Sequence, residues 1–358
     1  MSIQHLEISN VRNIQSQKID FCSGLNVFYG KNGSGKTSVI EAIHILGTGK
    51  SFRASQIKQV VKEGESELVV YSRLLGENNK GISIGIQRNR TEFQAKIDGV
   101  KIKGLSELAK QLPLLVITPE SHRLLESGPS WRRKYLDWGV FHVEHKYASI
   151  WSKYHSALKQ RNSLLQQKGT RHNIQTWTET LSGLGEMLHQ YRAAYFDKLL
   201  PLLQKFSEVF LPGQRLEFEY SFGWPKHGTL QEALDSHVVQ DLHHARTEYG
   251  PHRADLKIRF NGMNAREAVS RGQQKLLVYA MQLAQIDCIY ETASKRTTLL
   301  LDDLSAELDE EKIGLLLNTI NKEFNQVVIT TADLNSIPVE RFQNKRLFHV
   351  EHGLITSE

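Results

Sequence analysis

The stretch YGKNGSGKTS at 29–38 holds a glycine-rich loop, and LLLDDLSAELD at 299–309 runs an apolar segment into two carboxylates. Lys36 and Asp302 stand 266 positions apart. If both serve one site, the two ends of the chain must build one body, and much of the sequence between them becomes an insertion. At 358 residues the chain is longer than one core usually fills, so two domains, or one domain with a large insertion, are expected.

Gly30, Gly35, Lys36 and Thr37 match the spacing G-x-x-x-x-G-K-[ST]. LNVFY before the loop reads as a short buried strand, and Val39, Ile40, Ile43 and Leu46 after it recur at helical spacing. Strand, loop and helix are what a phosphate cradle requires. Backbone N–H groups converge on phosphate oxygens where no Cβ blocks the approach, and the helix start adds partial positive charge. The loop Gly30, Lys31, Asn32, Gly33, Ser34, Gly35, with Lys36, Thr37 and Ser38, is therefore the expected phosphate cradle. Lys36 would meet the outer phosphates, and Thr37 would offer its hydroxyl to Mg2+.

TTLLLDD has the pattern of a buried parallel strand ending at a ligand crevice. Asp302 is the expected Mg2+ partner, directly or through water. Asp303 is placed to orient or activate water. An acidic helix start is the competing reading of the same residues, because carboxylates also favour the positive end of a helix. Ahead of this strand, Ser270 can cap a helix whose Leu276, Leu277, Ala280, Leu283 and Ala284 share one face. Two helix starts are hard to aim at one γ-phosphate within a monomer. The sharper expectation is that Ser270, Arg271, Gly272 and Gln273 serve nucleotide held by a second copy of the chain.

Together, GKNGSGKT, SRGQQK and LLLDDLSAELD resemble the three nucleotide motifs of the ABC ATPases. The amino end, LEISNVRNIQSQKIDFCSGLNVFYG, is similar to the SMC-like branch. GKSFRASQI, ITPESHRLL, GPSWRRKYLDWGVFHVEH and GPHRADL resemble the RecF family of bacterial recombinational-repair ATPases. The resemblance implies an α/β fold: an ABC/SMC-like P-loop ATPase head with an inserted, mainly helical lobe carrying a short antiparallel coiled-coil-like arm. Residues 1–120 and 250–358 would form the head, and 121–249 the insertion. It also implies that Arg12 and Asn13 border the base and phosphates, that Arg53 reaches toward the nucleotide or DNA against a competing reading as a solvated surface arginine, and that ATP and Mg2+ are held in a homodimer that clamps double-stranded DNA at gapped or single-stranded junctions. RecR and RecO, and indirectly RecA, are the implied partners. Slow hydrolysis would reset the clamp, since Asp303 stands where most ABC ATPases have glutamate and ITTAD lacks a switch histidine. No Q-loop glutamine is assigned; Glu120 is the nearest candidate.

Within the insertion, Tyr147, Ile150, Trp151, Tyr154, Leu158 and Leu165 form one helical stripe. Trp177, Leu181, Leu184, Leu188, Tyr191, Tyr195, Leu199, Leu202 and Phe206 form another, with the threes-and-fours spacing of a coiled coil. Pro201 is expected to kink or end the second helix, a span of roughly 30 residues or about 45 Å. Between 121 and 170, nine basic residues face three acidic ones, and Arg132, Arg133 and Lys134 are the candidate DNA contacts against a competing reading as a solvated face.

Cys22 and Cys288 are the only cysteines and lack metal-ligand spacing, and the two HVEH segments are not H-E-x-x-H, so no metal site is expected from them. With 40% hydrophobic and 23% charged residues and no long apolar window, the chain reads as cytoplasmic, nucleoid-associated when on DNA, with no membrane partner. A transport ATPase subunit and a nucleotide-gated scaffold without useful turnover are the rival classes.

Overall fold

A computed structural model describes residues 2–76, 80–167, 169–320 and 326–358. The chain divides into two units, Met1–Ser121 with Ser294–Glu358, and His122–Ala293.

The first unit is built on two six-stranded sheets. One is antiparallel, in the order β2 (Ile14–Asp20), β1 (Ser2–Val11), β4 (Glu67–Leu75), β5 (Gly81–Asn89), β6 (Phe93–Ile97), β7 (Val100–Lys101). Buried positions alternate with more open ones in its strands, as in Glu67–Leu75, because one face packs on the core and the other meets water. Asp98 and Gly99 join β6 to β7 with φ of 48° and 79°, the doubly left-handed backbone a two-residue hairpin uses.

The second sheet has the order β15 (Leu354–Ser357), β14 (Lys345–Glu351), β3 (Leu25–Tyr29), β13 (Gln326–Thr331), β12 (Thr298–Leu301), β8 (Leu114–Ile117). All its pairings are parallel except β14 with β15. QVVITT and TLLL are buried at every position, as expected of parallel strands covered on both faces. The helix Lys36–Thr48 touches strands of both sheets. Its Val39, Ile40, Ile43 and Leu46 join Ile3, Leu6 and Ile8 from one sheet and Leu300, Val328 and Phe348 from the other in a single core.

Strand order explains how distant segments meet. β13 lies between β3 and β12, with Thr331 opposite Tyr29 and Ile329 opposite Leu301. The carboxyl ends of β3 and β12 therefore flank one strand end, and the glycine loop and the two aspartates emerge on the same rim.

The second unit is mainly helical, with helices Pro129–Val143, Tyr147–Gln166, Arg171–Phe210 and Arg271–Ala293 and a three-stranded sheet, β11 (Met263–Asn264), β10 (Asp255–Phe260), β9 (Leu216–Ser221). Thr229 and Glu232 form a reciprocal cap at the start of the helix Leu230–Ser236.

Two features differ from the expectations above. Pro201, expected to kink or end its helix, does not end it, and the helix runs 40 residues, or about 60 Å, where roughly 30 residues are expected. Leu199, Leu202, Leu203 and Phe206 are buried around the proline, and that packing offsets the lost N–H and the ring clash. The stretch 250–293, expected with the amino-terminal body, belongs to the second unit. β10 pairs with β9 throughout, and Arg271–Ala293 packs against Arg171–Phe210.

Candidate functional site

The loop after β3 needs glycine for concrete reasons. Gly30 has φ 150° and a Cβ there would sit 2.2 Å from the Val350 carbonyl oxygen; Gly35 has φ 119° and caps the helix Lys36–Thr48. The Lys36 ammonium folds back over the loop and donates to the carbonyls of Gly30 (2.7 Å) and Lys31 (3.0 Å). Burial pushes its pKa down from the ordinary lysine value, opposed by the negative charges of Asp303 and Asp302.

Asn13 buttresses the loop from outside: its Nδ2 donates to the Ser34 carbonyl (2.9 Å), and its Oδ1 accepts from the Ser38 hydroxyl (3.1 Å). Arg12 takes a left-handed backbone, φ 55°, and its guanidinium is held by Glu41, whose carboxylate accepts from Nε (2.7 Å) and Nη2 (2.8 Å). Arg53 is more exposed, with its guanidinium 3.9 Å from the same carboxylate.

Across the crevice, Thr37 Oγ1 donates to Asp302 Oδ1 at 2.9 Å, and Thr330 Oγ1 donates to the same oxygen at 2.7 Å. Burial raises the Asp302 pKa above the usual carboxylate range, while the hydrogen bonds from Thr330 and Thr37 pull it back. Asp303 takes φ 54°, and its Oδ1 is buried with no hydrogen-bond partner. A cleft of about 420 Å³ is lined by Arg12, Asn13, Asn32, Gly33, Gly35, Lys36, Thr37, Ser38, Arg53 and Asp303.

The first unit thus brings together every expected loop residue, both aspartates and the three flanking residues. The donor set fits a phosphate chain with a hard divalent cation: positive-φ glycines, an ammonium, a hydroxyl beside a carboxylate, and an unpartnered buried carboxylate oxygen. Two residues escaped the sequence reading. Glu41 is a carboxylate inside the apolar run VIEAIHI, and Thr330 is a buried hydroxyl that follows the apolar run Val327, Val328, Ile329; each is a polar side chain where the pattern calls for an apolar one.

In the second unit, Ser270 and Gln273 cap the helix Arg271–Ala293 reciprocally: the Ser270 N–H donates to Gln273 Oε1 (2.9 Å), and the Gln273 N–H to Ser270 Oγ (3.3 Å). Ser270, Arg271 and Gly272 are exposed, and nothing lies within 4 Å of where a Gly272 Cβ would stand. Of the three candidate DNA contacts, two are turned to internal partners. Arg132 forks onto both Asp255 oxygens (2.7 and 3.0 Å), and Arg133 donates to the Ala254 carbonyl (2.8 Å). Lys134 is exposed, 5.4 Å from the Trp131 ring centre. Lys168 lies outside the described residues. His252, in GPHRAD, bonds internally, its Nδ1 with the Tyr154 hydroxyl (2.7 Å) and its Nε2 with the Thr247 carbonyl (3.0 Å). Among the described residues no three His, Cys, Asp or Glu side chains cluster to hold a metal, and no helix is long and apolar enough to cross a membrane.

The sequence matches the RecF/RecN/SMC N terminal domain family over residues 2–356. It is 39% identical over 359 residues to the DNA replication and repair protein RecF of Shewanella frigidimarina, covering 99% of each chain. A relative of the same name from Shewanella piezotolerans is 38% identical over 358 residues, again with 99% of each covered. Among solved structures, the recombination mediator protein RecF with ATP, described as part of the RecFOR pathway, superposes with a TM-score of 0.88 at 26% identity, covering 100% of this chain and 97% of that one. An Smc head bound to the C-winged helix domain of ScpA gives a TM-score of 0.64 at 15% identity, covering 100% of this chain and 97% of that one, a likeness of fold alone.

Proposed function

The chain belongs to the RecF family, within the RecF/RecN/SMC N-terminal domain group, and on that premise we propose that it is an ATP-dependent DNA-binding recombination mediator of the RecFOR pathway. The observation that carries the reading is the meeting of Thr37 and Asp302 at one crevice rim, beside a glycine loop and an ammonium.

Lys36 and the loop N–H groups would hold the ATP phosphates, and Thr37 and Asp302 would hold Mg2+. The bound cation would supply charge neutralisation at the phosphates. Asp303 would orient water from its left-handed position. Its side chain is one methylene shorter than a glutamate, and this supports slow, DNA-stimulated turnover that works as a switch. Asn13 keeps the loop in shape, and Glu41 keeps Arg12 and Arg53 at its edge.

Ser270, Arg271, Gly272 and Gln273 would complete the site of a second copy. Their exposure supports that role, since a surface free of side-chain cover is open to a partner. Nucleotide bridging two subunits favours the dimer by mass action. The dimer would clamp duplex DNA at gapped junctions with RecR and RecO, and so help load RecA, in the cytoplasm and on the nucleoid.

The test is the light-scattering mass of an Asp303→Asn variant with and without Mg2+-ATP and a short gapped duplex. A dimer that forms only with ATP, strengthens with DNA and is lost in Ser270→Arg supports the reading. A monomer under every condition overturns the shared site.

A further inference from the structure

Asp302 and Asp303 are joined through a residue of a different strand. Thr330, fully buried, is the fifth residue of β13, and the pairing of Leu301 with Ile329 sets it beside the end of β12. Its Oγ1 donates to Asp302 Oδ1 at 2.7 Å and accepts the Asp303 N–H at 2.8 Å.

The direction of this relay is unambiguous. A backbone N–H can only donate, so the Thr330 oxygen accepts there, and its single proton is left for the carboxylate. Asp302 Oδ1 then receives two hydroxyl protons, from Thr37 and Thr330, which orients its carboxylate within the crevice. The second bond acts on the backbone. The left-handed region is disfavoured for residues other than glycine, and Asp303 sits there at φ 54°. The N–H bond to Thr330 helps hold it in that conformation, with its Oδ1 unpartnered and available.

Burial alone does not call for a hydroxyl here. The other interior positions of the strand, Val327, Val328 and Ile329, are apolar, and valine shares the β-branched shape of threonine without its hydroxyl. Thr331, next along, bonds to Ser305 Oγ and the Asp333 carbonyl and touches neither aspartate carboxylate by hydrogen bond. The group specific to Thr330 is a hydroxyl that addresses both acidic residues at once.

We propose that Thr330 is a positioning residue of the cation and water site, aiming the Asp302 carboxylate at the metal position and holding Asp303 in the backbone conformation that frees its own carboxylate. Thr330 itself binds neither nucleotide nor metal. This rests on the Mg2+-nucleotide reading above and deepens it.

The experiment uses Mn2+ as the probe, with a non-hydrolysable ATP analogue, and follows free Mn2+ by electron paramagnetic resonance in full-length wild-type protein and in Thr330→Val, Thr330→Ala and Thr330→Ser. Residues that orient metal ligands typically contribute about 10–100-fold to metal affinity, so Thr330→Val is expected to weaken Mn2+ uptake about tenfold. Thr330→Ser, which restores the hydroxyl, is expected to recover wild-type uptake to within about threefold. Analogue binding in EDTA, read by a fluorescent nucleotide, should be unchanged in all three, as a general packing defect would not allow. Should Thr330→Val fail to fold, Thr330→Ala supplies the hydroxyl-free comparison. Wild-type Mn2+ affinity in a folded hydroxyl-free variant, or a Thr330→Ser variant as weak as Thr330→Val, overturns the proposal and leaves the nucleotide reading intact. A wild-type protein that takes up no Mn2+ with nucleotide overturns both.

Discussion

Thr37 and Asp302 are 2.9 Å apart through a hydroxyl-to-carboxylate hydrogen bond that spans 265 positions of sequence. The first is the second residue of a helix that opens directly from the glycine loop, and the second follows the last residue of a buried strand. The contact closes the site from both ends of the first unit, and it makes the two residues energetically coupled. Thr37→Val and Asp302→Asn are each expected to weaken Mg2+-dependent nucleotide binding by about tenfold or more, with the double variant losing less than the two together. Calorimetric titration in Mg2+ and in EDTA checks this. Equal losses without metal would remove the cation from the account of Asp302.

Glu41 is a fully buried carboxylate that accepts two hydrogen bonds from Arg12 and one from the Ser51 hydroxyl. Truncating it leaves the Arg12 guanidinium without its counter-charge in a partly buried position. Glu41→Ala is expected to destabilise folding by about 3 kcal/mol, and Arg12→Ala in the same background to add little, because the pair acts as a unit. Urea unfolding midpoints of the single and double variants decide the matter; strict additivity would show that the ion pair is not what stabilises this corner.

Arg161 and Asp241 form an ion pair at 2.7 Å with both side chains 0% exposed, and Arg161 also donates to the hydroxyls of Thr178 and Thr247. Removing one partner strands a buried charge. Arg161→Met is expected to cost about 3–5 kcal/mol, whereas pairing it with Asp241→Leu should recover much of that loss. The measurement is thermal and urea unfolding of the second unit's transition in the full chain, and a milder loss in Arg161→Met than in the double variant would contradict this account.

His252 has its pKa pushed down to about 4 from 6.5, first by burial, then by the positive charges of Arg253, Arg133 and His155; the Thr247 carbonyl opposes the shift. The Tyr154 hydroxyl bonds its other nitrogen. Above pH 6.5 the imidazole is neutral folded or unfolded, and its full contribution to stability is present. As pH falls, the unfolded chain takes up the proton first, so stability is lost between pH 6.5 and about 4, by at most about 3 kcal/mol. His44, His155 and His189 are also shifted downward by burial and act in the same direction. His252→Gln should therefore flatten only part of the slope. Urea midpoints at pH 7.5 and 5 for both proteins test it, and an unchanged pH dependence would mean that His252 does not titrate as its surroundings require.

The local parts of the site were legible because their chemistry is written in contiguous residues. GKNGSGKT states a positive-φ loop and a helix start, TLLLDD states a buried strand that ends in charge, and SRGQ states a helix cap. Glu41 and Thr330 were not legible as site residues, since a lone glutamate among apolar residues or a threonine near the end of a strand carries no sign of what it faces. The internal partners of Arg132 and Arg133 were not legible for the same reason: a basic run looks alike whether its guanidiniums meet solvent or bond to Asp255 and Ala254.

Sequence alone thus determined the elements, the motif chemistry and the need for a chain folded back on itself. Periodicity and short-range spacing act over a turn or a strand, and that is the range over which composition reports physical constraint. Tertiary structure alone decided the strand order that sets β13 between β3 and β12, the continuity of the helix through Pro201, and the transfer of 250–293 to the second unit. Those outcomes depend on hydrogen-bond register and packing between segments far apart in sequence, where each residue's partner, and therefore its charge environment and its role, is chosen by the whole fold.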